Sequence, residues 1–231
     1  MQHITKLPDD ILYLVHTTSK KYKNDTGILW KEITASGSDQ HPGAYFSLIT
    51  KHNRLTEKLF PASNTLIFSR NLLKQMNYHI NMCDNNGFIT EGNTFFPWNL
   101  QEAIEKIREN ASIPLDDDAV NYHRMNEVVF HDGVPMEYLC LELETQFFCN
   151  DFLPDYQIEN EIQPNMELIP FYCFAPIKGI TRYHSSYEFI KKFAELCGII
   201  IDDYTLSIDE ILEKIREKSI ILQKNRQISK N

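Results

Sequence analysis

The sequence predicts an α+β fold with two parts. Residues 1–150 form a sheet-based domain, and residues 151–231 form a linker and a helical C-terminal extension. Two observations predict this division. Short, β-prone apolar runs separated by polar turns recur through the first part. Two amphipathic segments that open with helix-capping patterns occupy the end of the second part.

The composition is that of a folded, acidic protein. The 231 residues include 23 Lys and Arg against 32 Asp and Glu, a net charge of −9, and 42% are hydrophobic, enough to form a core. Residues 1–177 alone carry 13 basic and 24 acidic side chains, whereas proteins that bind DNA or RNA nonspecifically present a basic stripe. We find no signal-peptide pattern and no apolar stretch of membrane-spanning length, so we expect a cytoplasmic protein without a membrane partner.

Apolar runs predict the strands of the sheet. They cover residues 11–15, 44–49, 66–68, 128–130 and 138–143. In the last run Leu139, Leu141 and Leu143 alternate with more polar residues, the period of a half-buried strand.

Helical spacing and capping patterns predict the helices. Ile28, Leu29 and Ile33 indicate one helix, and a second is expected over residues 70–80. Capping boxes at Asn99-to-Glu102, Ser185-to-Glu188 and Ser207-to-Glu210 predict helices to about residue 110, over 186–197 and over 208–223. Residues 84–98 and 150–178 are rich in Pro, Gly and polar residues and are predicted to be loop or linker.

The cysteines give no pattern of metal binding. There are five, odd in number and scattered, with no C-x-x-C pair, which predicts reduced and mostly buried thiols. His79 and Cys83 are four residues apart on the predicted 70–80 helix and its extension, but no second pair supplies the remaining zinc ligands. No metal site is therefore predicted.

Three short segments place a polar or aromatic side chain on or beside an apolar strand. They are Leu14-Val15-His16-Thr17-Thr18, Gly43-Ala44-Tyr45-Phe46-Ser47, and Asn126-Glu127-Val128-Val129-Phe130-His131-Asp132. Each residue alone is typical of ordinary core packing or of a solvated surface. The order and local setting of all three together indicate a shared site.

This ordered set resembles the His-Tyr-Glu class of ADP-ribosyltransferases, which includes diphtheria-type toxins and the poly(ADP-ribose) polymerases. In that family the first strand ends in a histidine, as at His16. The second strand begins with a glycine followed by an aromatic pair, as at Gly43 and Tyr45, and a glutamate opens a third, as at Glu127. The resemblance covers roughly residues 10–145 and implies a split β-sheet core.

The resemblance also implies an activity, namely NAD-dependent ADP-ribosyl transfer, mono rather than poly, with NAD as co-substrate and nicotinamide released. Cleavage of the nicotinamide–ribose bond passes through a cationic ribose, as in glycoside cleavage, and a fixed carboxylate stabilises that charge. By resemblance, Glu127 is this catalytic carboxylate. His16 holds the adenosine-side ribose and Tyr45 stacks on nicotinamide. The Thr17 backbone grips the carboxamide, and Ser47 completes the NAD-binding set.

The acceptor of the ADP-ribose is not given by the sequence, although a protein is favoured over a nucleic acid. Arginine-directed relatives carry Gln or Glu two residues before the catalytic glutamate, and Met125 stands there instead. Three alternatives stay open. The chain is an inactive module that binds NAD or ADP-ribose, an interaction protein whose C-terminal helices recruit a partner, or a toxin of this fold that hydrolyses NAD or modifies nucleic acid.

Overall fold

A computed structural model describes residues 6–18, 32–33, 43–50, 64–81, 99–111, 127–145 and 177–229. The strands are β1 Ile11–Thr18, β2 Glu32–Ile33, β3 Ala44–Thr50, β4 Asn64–Ser69, β5 Tyr78–Asn81, β6 Glu127–Phe130, β7 Val134–Pro135, β8 Leu139–Thr145 and β9 Ile177–Arg182. The helices are α1 Leu72–Gln75, α2 Leu100–Ala111, α3 Tyr187–Leu196 and α4 Ile208–Ser229, with a 3₁₀ turn at Met136–Tyr138.

Seven strands are hydrogen-bonded in the order β5-β6-β3-β1-β4-β8-β9, and β2 pairs with β7. Strand β3 is antiparallel to both β1 and β6, β5 is antiparallel to β6, and β8 is antiparallel to β9. A mainly antiparallel sheet with few helices confirms the α+β class. The split form of the sheet implied by the resemblance stays a prediction.

The described chain divides into two compact units. The first holds β1 up to His16, β2, β3, β4 from Ile67, α1, β5, α2, β6 and β7. The second holds the remaining residues of β1 and β4, the chain from Cys140 in β8, then β9, α3 and α4.

Aromatic packing fixes the core of the first unit. The Phe46 ring on β3 meets the Phe68 ring on β4 and the Phe130 ring on β6 edge to face, with centroid separations of 5.2 and 5.3 Å. All three side chains are buried. Such edge-to-face pairs add to the free energy gained from burial alone, so this cluster holds three strands in place.

The second unit contains two capped helices, of which α4 packs on β9 and α3 packs on α4. Ser207 and Glu210 form the predicted capping box, with the Ser207 backbone N–H donating to Glu210 Oε2 at 2.7 Å and the Glu210 N–H donating to Ser207 Oγ at 3.3 Å. Ser219 on α4 is fully buried, accepts from the Ile177 N–H at 3.0 Å and donates to the Arg216 carbonyl at 2.7 Å. This hydroxyl ties β9 to α4.

Most predicted elements are confirmed. The five predicted strands correspond to β1, β3, β4, β6 and β8, and three of the five predicted helices correspond to α2, α3 and α4. The predicted Ser185-to-Glu188 capping box is wrong, because α3 is capped by Ser186, whose hydroxyl accepts from the Phe189 N–H. Leu139, Leu141 and Leu143 are fully buried, as the alternation predicts. The thiols of Cys140 and Cys197 are buried, and burial raises the pKa of Cys140 to about 12, so this thiol is a poor nucleophile. Cys83, Cys149 and Cys173 lie outside the described residues.

The helix predicted over residues 70–80 is wrong. Only Leu72–Gln75 is helical; Met76 is already extended, with φ −117° and ψ 154°, and β5 follows. Tyr78 and Ile80 pair with β6, and this strand pairing overrides the helical spacing of the apolar residues. Ile33, predicted to be helical with Ile28 and Leu29, lies in β2 instead, while the other two are outside the described residues.

Strand β9 was not predicted from the sequence. Its first two residues fall at the end of the predicted linker, and its residue pattern from Ile177 to Arg182 mixes apolar and basic side chains. Among the described helices, none has both the length and the apolar character needed to cross a bilayer.

Candidate functional site

The three segments that carry the resemblance lie on neighbouring strands. They are separated by many residues in the sequence, but β3 lies directly between β1 and β6 in the sheet. The register sets Val15 across from Ser47, and Ser47 across from Glu127. These three positions form one row across the sheet, at the strand spacing of about 4.8 Å.

Tyr45 lies on the same face of the sheet as this row. It is two residues from Ser47 along β3 and is paired with Val129, two residues from Glu127 along β6. Tyr45 and Ser47 are half-buried, while Ala44, Phe46 and Leu48 between and beside them are buried on the opposite face. One face of β3 therefore forms core, and the other presents Tyr45 and Ser47.

His16 follows Val15 in β1, so the position of His16 is across from Phe46. The two rings lie 5.3 Å apart, centroid to centroid, so the imidazole packs on the Phe46 side of the strand. Its Nδ1 lies 2.8 Å from the carbonyl oxygen of Tyr45. The segments of His16 and Tyr45 are thus joined by a direct hydrogen bond between β1 and β3.

This bond fixes the tautomer of His16. A carbonyl oxygen only accepts, so the Nδ1 atom must carry the hydrogen and donate it. In the neutral ring the Nε2 atom is then the acceptor. An acceptor nitrogen of this kind has the chemistry needed to receive a hydrogen bond from a sugar hydroxyl.

Gly43 allows β3 to approach β6 at the start of the segment. A Cβ atom at this position would lie 2.2 Å from Cγ1 of Val129 and 3.2 Å from the carbonyl oxygen of Phe130. The Val129 side chain is fully buried and occupies the space that any larger residue would need. The glycine is therefore required by packing rather than by an unusual backbone angle.

The outer strand β5 adds residues to the same face. Asn81 is across from Glu127, and His79 is across from Val129, which places both in the rows of Ser47 and Tyr45. The Nδ1 atom of His79 lies 3.2 Å from Nε2 of His131, which follows β6. Sequence reasoning missed this arrangement because residues 70–80 were predicted to be helical.

The structure places the positions of Tyr45, Ser47 and Glu127 on one face of the sheet. The His16 ring packs on the opposite, Phe46 side and contacts this set through its bond to the Tyr45 carbonyl. The fifth predicted site residue, Thr17, follows His16 in β1. The side chains of Thr17 and Glu127 lie outside the described part of the chain. The roles assigned to all five residues stay predictions.

Comparison of this chain with protein-family models, with curated proteins and with solved structures finds no match. In the part of the chain that the structure describes, no group of three or more His, Cys, Asp or Glu side chains is placed to hold a metal ion.

Proposed function

We propose that this chain is an NAD-dependent ADP-ribosyltransferase that cleaves the nicotinamide–ribose bond and transfers ADP-ribose to an acceptor, a protein rather than a nucleic acid. One observation carries the proposal. The segments of His16, Tyr45 and Glu127 lie on three strands, β1, β3 and β6, that are adjacent in one sheet. These are the segments whose sequences resemble one enzyme class.

The arrangement of Tyr45 and Glu127 suits the chemistry of bond cleavage. Their positions share a face and lie one strand and two residues apart, a diagonal separation of about 7–8 Å. A nicotinamide ring stacked on the phenol would then carry its ribose towards the strand that opens with the glutamate. A carboxylate beside that ribose stabilises the developing positive charge.

His16 supports the proposal through its fixed tautomer. With Nδ1 donating to the Tyr45 carbonyl, the ring is oriented by the same segment that supplies the stacking tyrosine. Loss of this bond would disturb both the ring of His16 and the backbone of Tyr45. His16 therefore supports the proposed site by positioning the Tyr45 backbone from the opposite face of the sheet.

The test is cleavage of NAD by the wild-type chain and by Glu127→Gln. We expect nicotinamide release to fall by about 10²–10³-fold in the variant, because the amide keeps the shape of the carboxylate and loses its charge. NAD should still raise the melting temperature of the variant, since ligand that binds only the folded state stabilises it by mass action. Glu137→Gln is the matched control, an exposed glutamate in the 3₁₀ turn.

Other results would reject the proposal in distinguishable ways. Equal rates in wild type and Glu127→Gln would remove this glutamate from the mechanism. Heat protection by NAD without nicotinamide release in the wild type would identify a binding module. Release of nicotinamide with no label from NAD transferred to lysate protein would indicate hydrolysis, and label on nucleic acid would correct the acceptor class.

A further inference from the structure

Two histidines from different strands meet at the edge of the candidate face. His79 lies in β5 across from Val129. His131 directly follows β6, and its backbone N–H donates to the Asn77 carbonyl at 3.2 Å, which extends the β5–β6 ladder by one residue. The pairing of two strands therefore fixes both Cα positions, so the pair does not depend on a single loop.

The separation of the two ring nitrogens matches that of two ligands of one metal ion. His79 Nδ1 and His131 Nε2 are 3.2 Å apart, and the ring centroids are 4.8 Å apart with an interplanar angle of 36°. Zinc binds imidazole nitrogen at about 2.0–2.1 Å, so two nitrogens at tetrahedral angles on one zinc ion are separated by about 3.3–3.4 Å. In the hydrogen-bonded pair the facing nitrogens point along the line between them, so each ring must turn by about 35° for both lone pairs to meet at one ion.

We propose that His79 and His131 form a two-imidazole binding site for a divalent cation of the zinc class. Imidazole is a preferred ligand of Zn²⁺, Cu²⁺ and Ni²⁺, whereas Mg²⁺ and Ca²⁺ prefer oxygen. His131 is exposed and His79 is half-buried, so an ion can reach the pair from solvent.

Loading the site changes the position of one proton. In the hydrogen-bonded pair one of the facing nitrogens carries a hydrogen, and the other accepts it. A cation needs both lone pairs, so that hydrogen moves to the other nitrogen of its own ring. For two neutral rings the number of protons is unchanged, and for a pair that holds an extra proton one proton is released on binding.

The competing explanation is a hydrogen bond with a purely structural role. That explanation gives no selectivity among cations. The proposed site follows the affinity order of imidazole ligands, with Cu²⁺ bound more tightly than Zn²⁺ and Mg²⁺ not bound.

The test is titration of the full-length chain with Zn²⁺, Cu²⁺ and Mg²⁺ alone, by calorimetry at neutral pH. We expect one zinc equivalent that is lost in the His79→Gln/His131→Gln double variant and weakened by at least about tenfold in each single variant. His184→Asn is the control, because His184 is an exposed histidine of the second unit and asparagine tolerates its positive φ of 54°.

A second measurement is independent of the folding of the variants. Histidine modification by diethyl pyrocarbonate, mapped on the wild-type chain by mass spectrometry, should be slowed by Zn²⁺ at His79 and His131 and unaffected at His184. Zinc binding that persists in the double variant, or equal protection at all three histidines, would overturn the proposal. Absence of zinc binding up to about 1 mM would also overturn it.

Discussion

Substitution of Gly43 tests the close approach of β3 and β6 that sets Ser47 across from Glu127. An added methyl group would lie 2.2 Å from Val129 Cγ1, whereas carbon atoms in contact are separated by about 3.5–4.0 Å. At least about 1.3 Å of overlap must therefore be relieved. Val129 is fully buried and stiff at χ1, so it cannot simply rotate away, and the two strands must separate locally.

The magnitude follows from two opposing terms. Overpacking of a buried position costs about 1–3 kcal/mol. Replacement of glycine by alanine reduces the conformational entropy of the unfolded chain, which stabilises the folded state by about 0.4–1 kcal/mol. We expect Gly43→Ala to lower the free energy of unfolding by about 1–2 kcal/mol. Gly179→Ala is the matched control, because the nearest atom to its Cβ would be the movable carboxylate oxygen of Glu144, at 3.0 Å, while the Glu144 Cβ lies at an ordinary contact distance of 3.5 Å.

The assay is urea denaturation of the single and double variants. Val129→Ala removes the methyl group that causes the overlap, so the double variant Gly43→Ala/Val129→Ala should be more stable than the sum of the two single effects by at least about 1 kcal/mol. Additivity within about 0.5 kcal/mol would refute the reasoning. It would mean that β3 and β6 do not pack as the register requires.

Two other predictions concern the second unit. Ser219→Ala should lower the free energy of unfolding by about 1–3 kcal/mol in denaturant titration, because the buried Ile177 N–H loses its acceptor. The control is Glu217→Ala at an exposed position of α4. A loss of stability in Ser219→Ala no larger than that in the control would contradict this role of Ser219. Hydrogen bonds from the Ser207 hydroxyl and backbone N–H hold the pKa of Glu210 below its ordinary value of 4.5. The ionised Glu210 therefore stabilises the start of α4 at pH values above 4.5, and this stabilisation is lost as the pH falls through the lowered pKa. Acid titration by circular dichroism should therefore show a larger loss of helix in the wild type than in Glu210→Gln, and parallel curves would refute the assignment.

Much of the fold could be predicted because local signals and tertiary packing agree. The apolar run from Ile11 is a central strand, and the capping boxes at Asn99 and Ser207 open helices whose side-chain bonds are present in the structure. The failure at residues 70–80 has the opposite cause. Leu72, Leu73, Met76 and Ile80 are spaced as in a helix, but the chain after Met76 gains more by pairing with β6.

Part of the candidate site could likewise be predicted from local sequence, and part could not. The residue types around His16, Tyr45 and Glu127 could be selected from local motifs, without knowledge of the sheet. The bond from His16 to the Tyr45 carbonyl and the meeting of His79 with His131 depend on register between strands far apart in sequence. A shift of one residue would turn each side chain to the other face, so a single sequence does not determine these contacts.

A crystal structure of the chain soaked with a non-hydrolysable NAD analogue would examine the site most directly. Our account predicts the nicotinamide ring stacked on Tyr45 at about 3.5–4 Å, with its ribose beside Glu127. A ligand bound on any other surface, or bound with residues 45 and 127 both out of contact, would contradict the account.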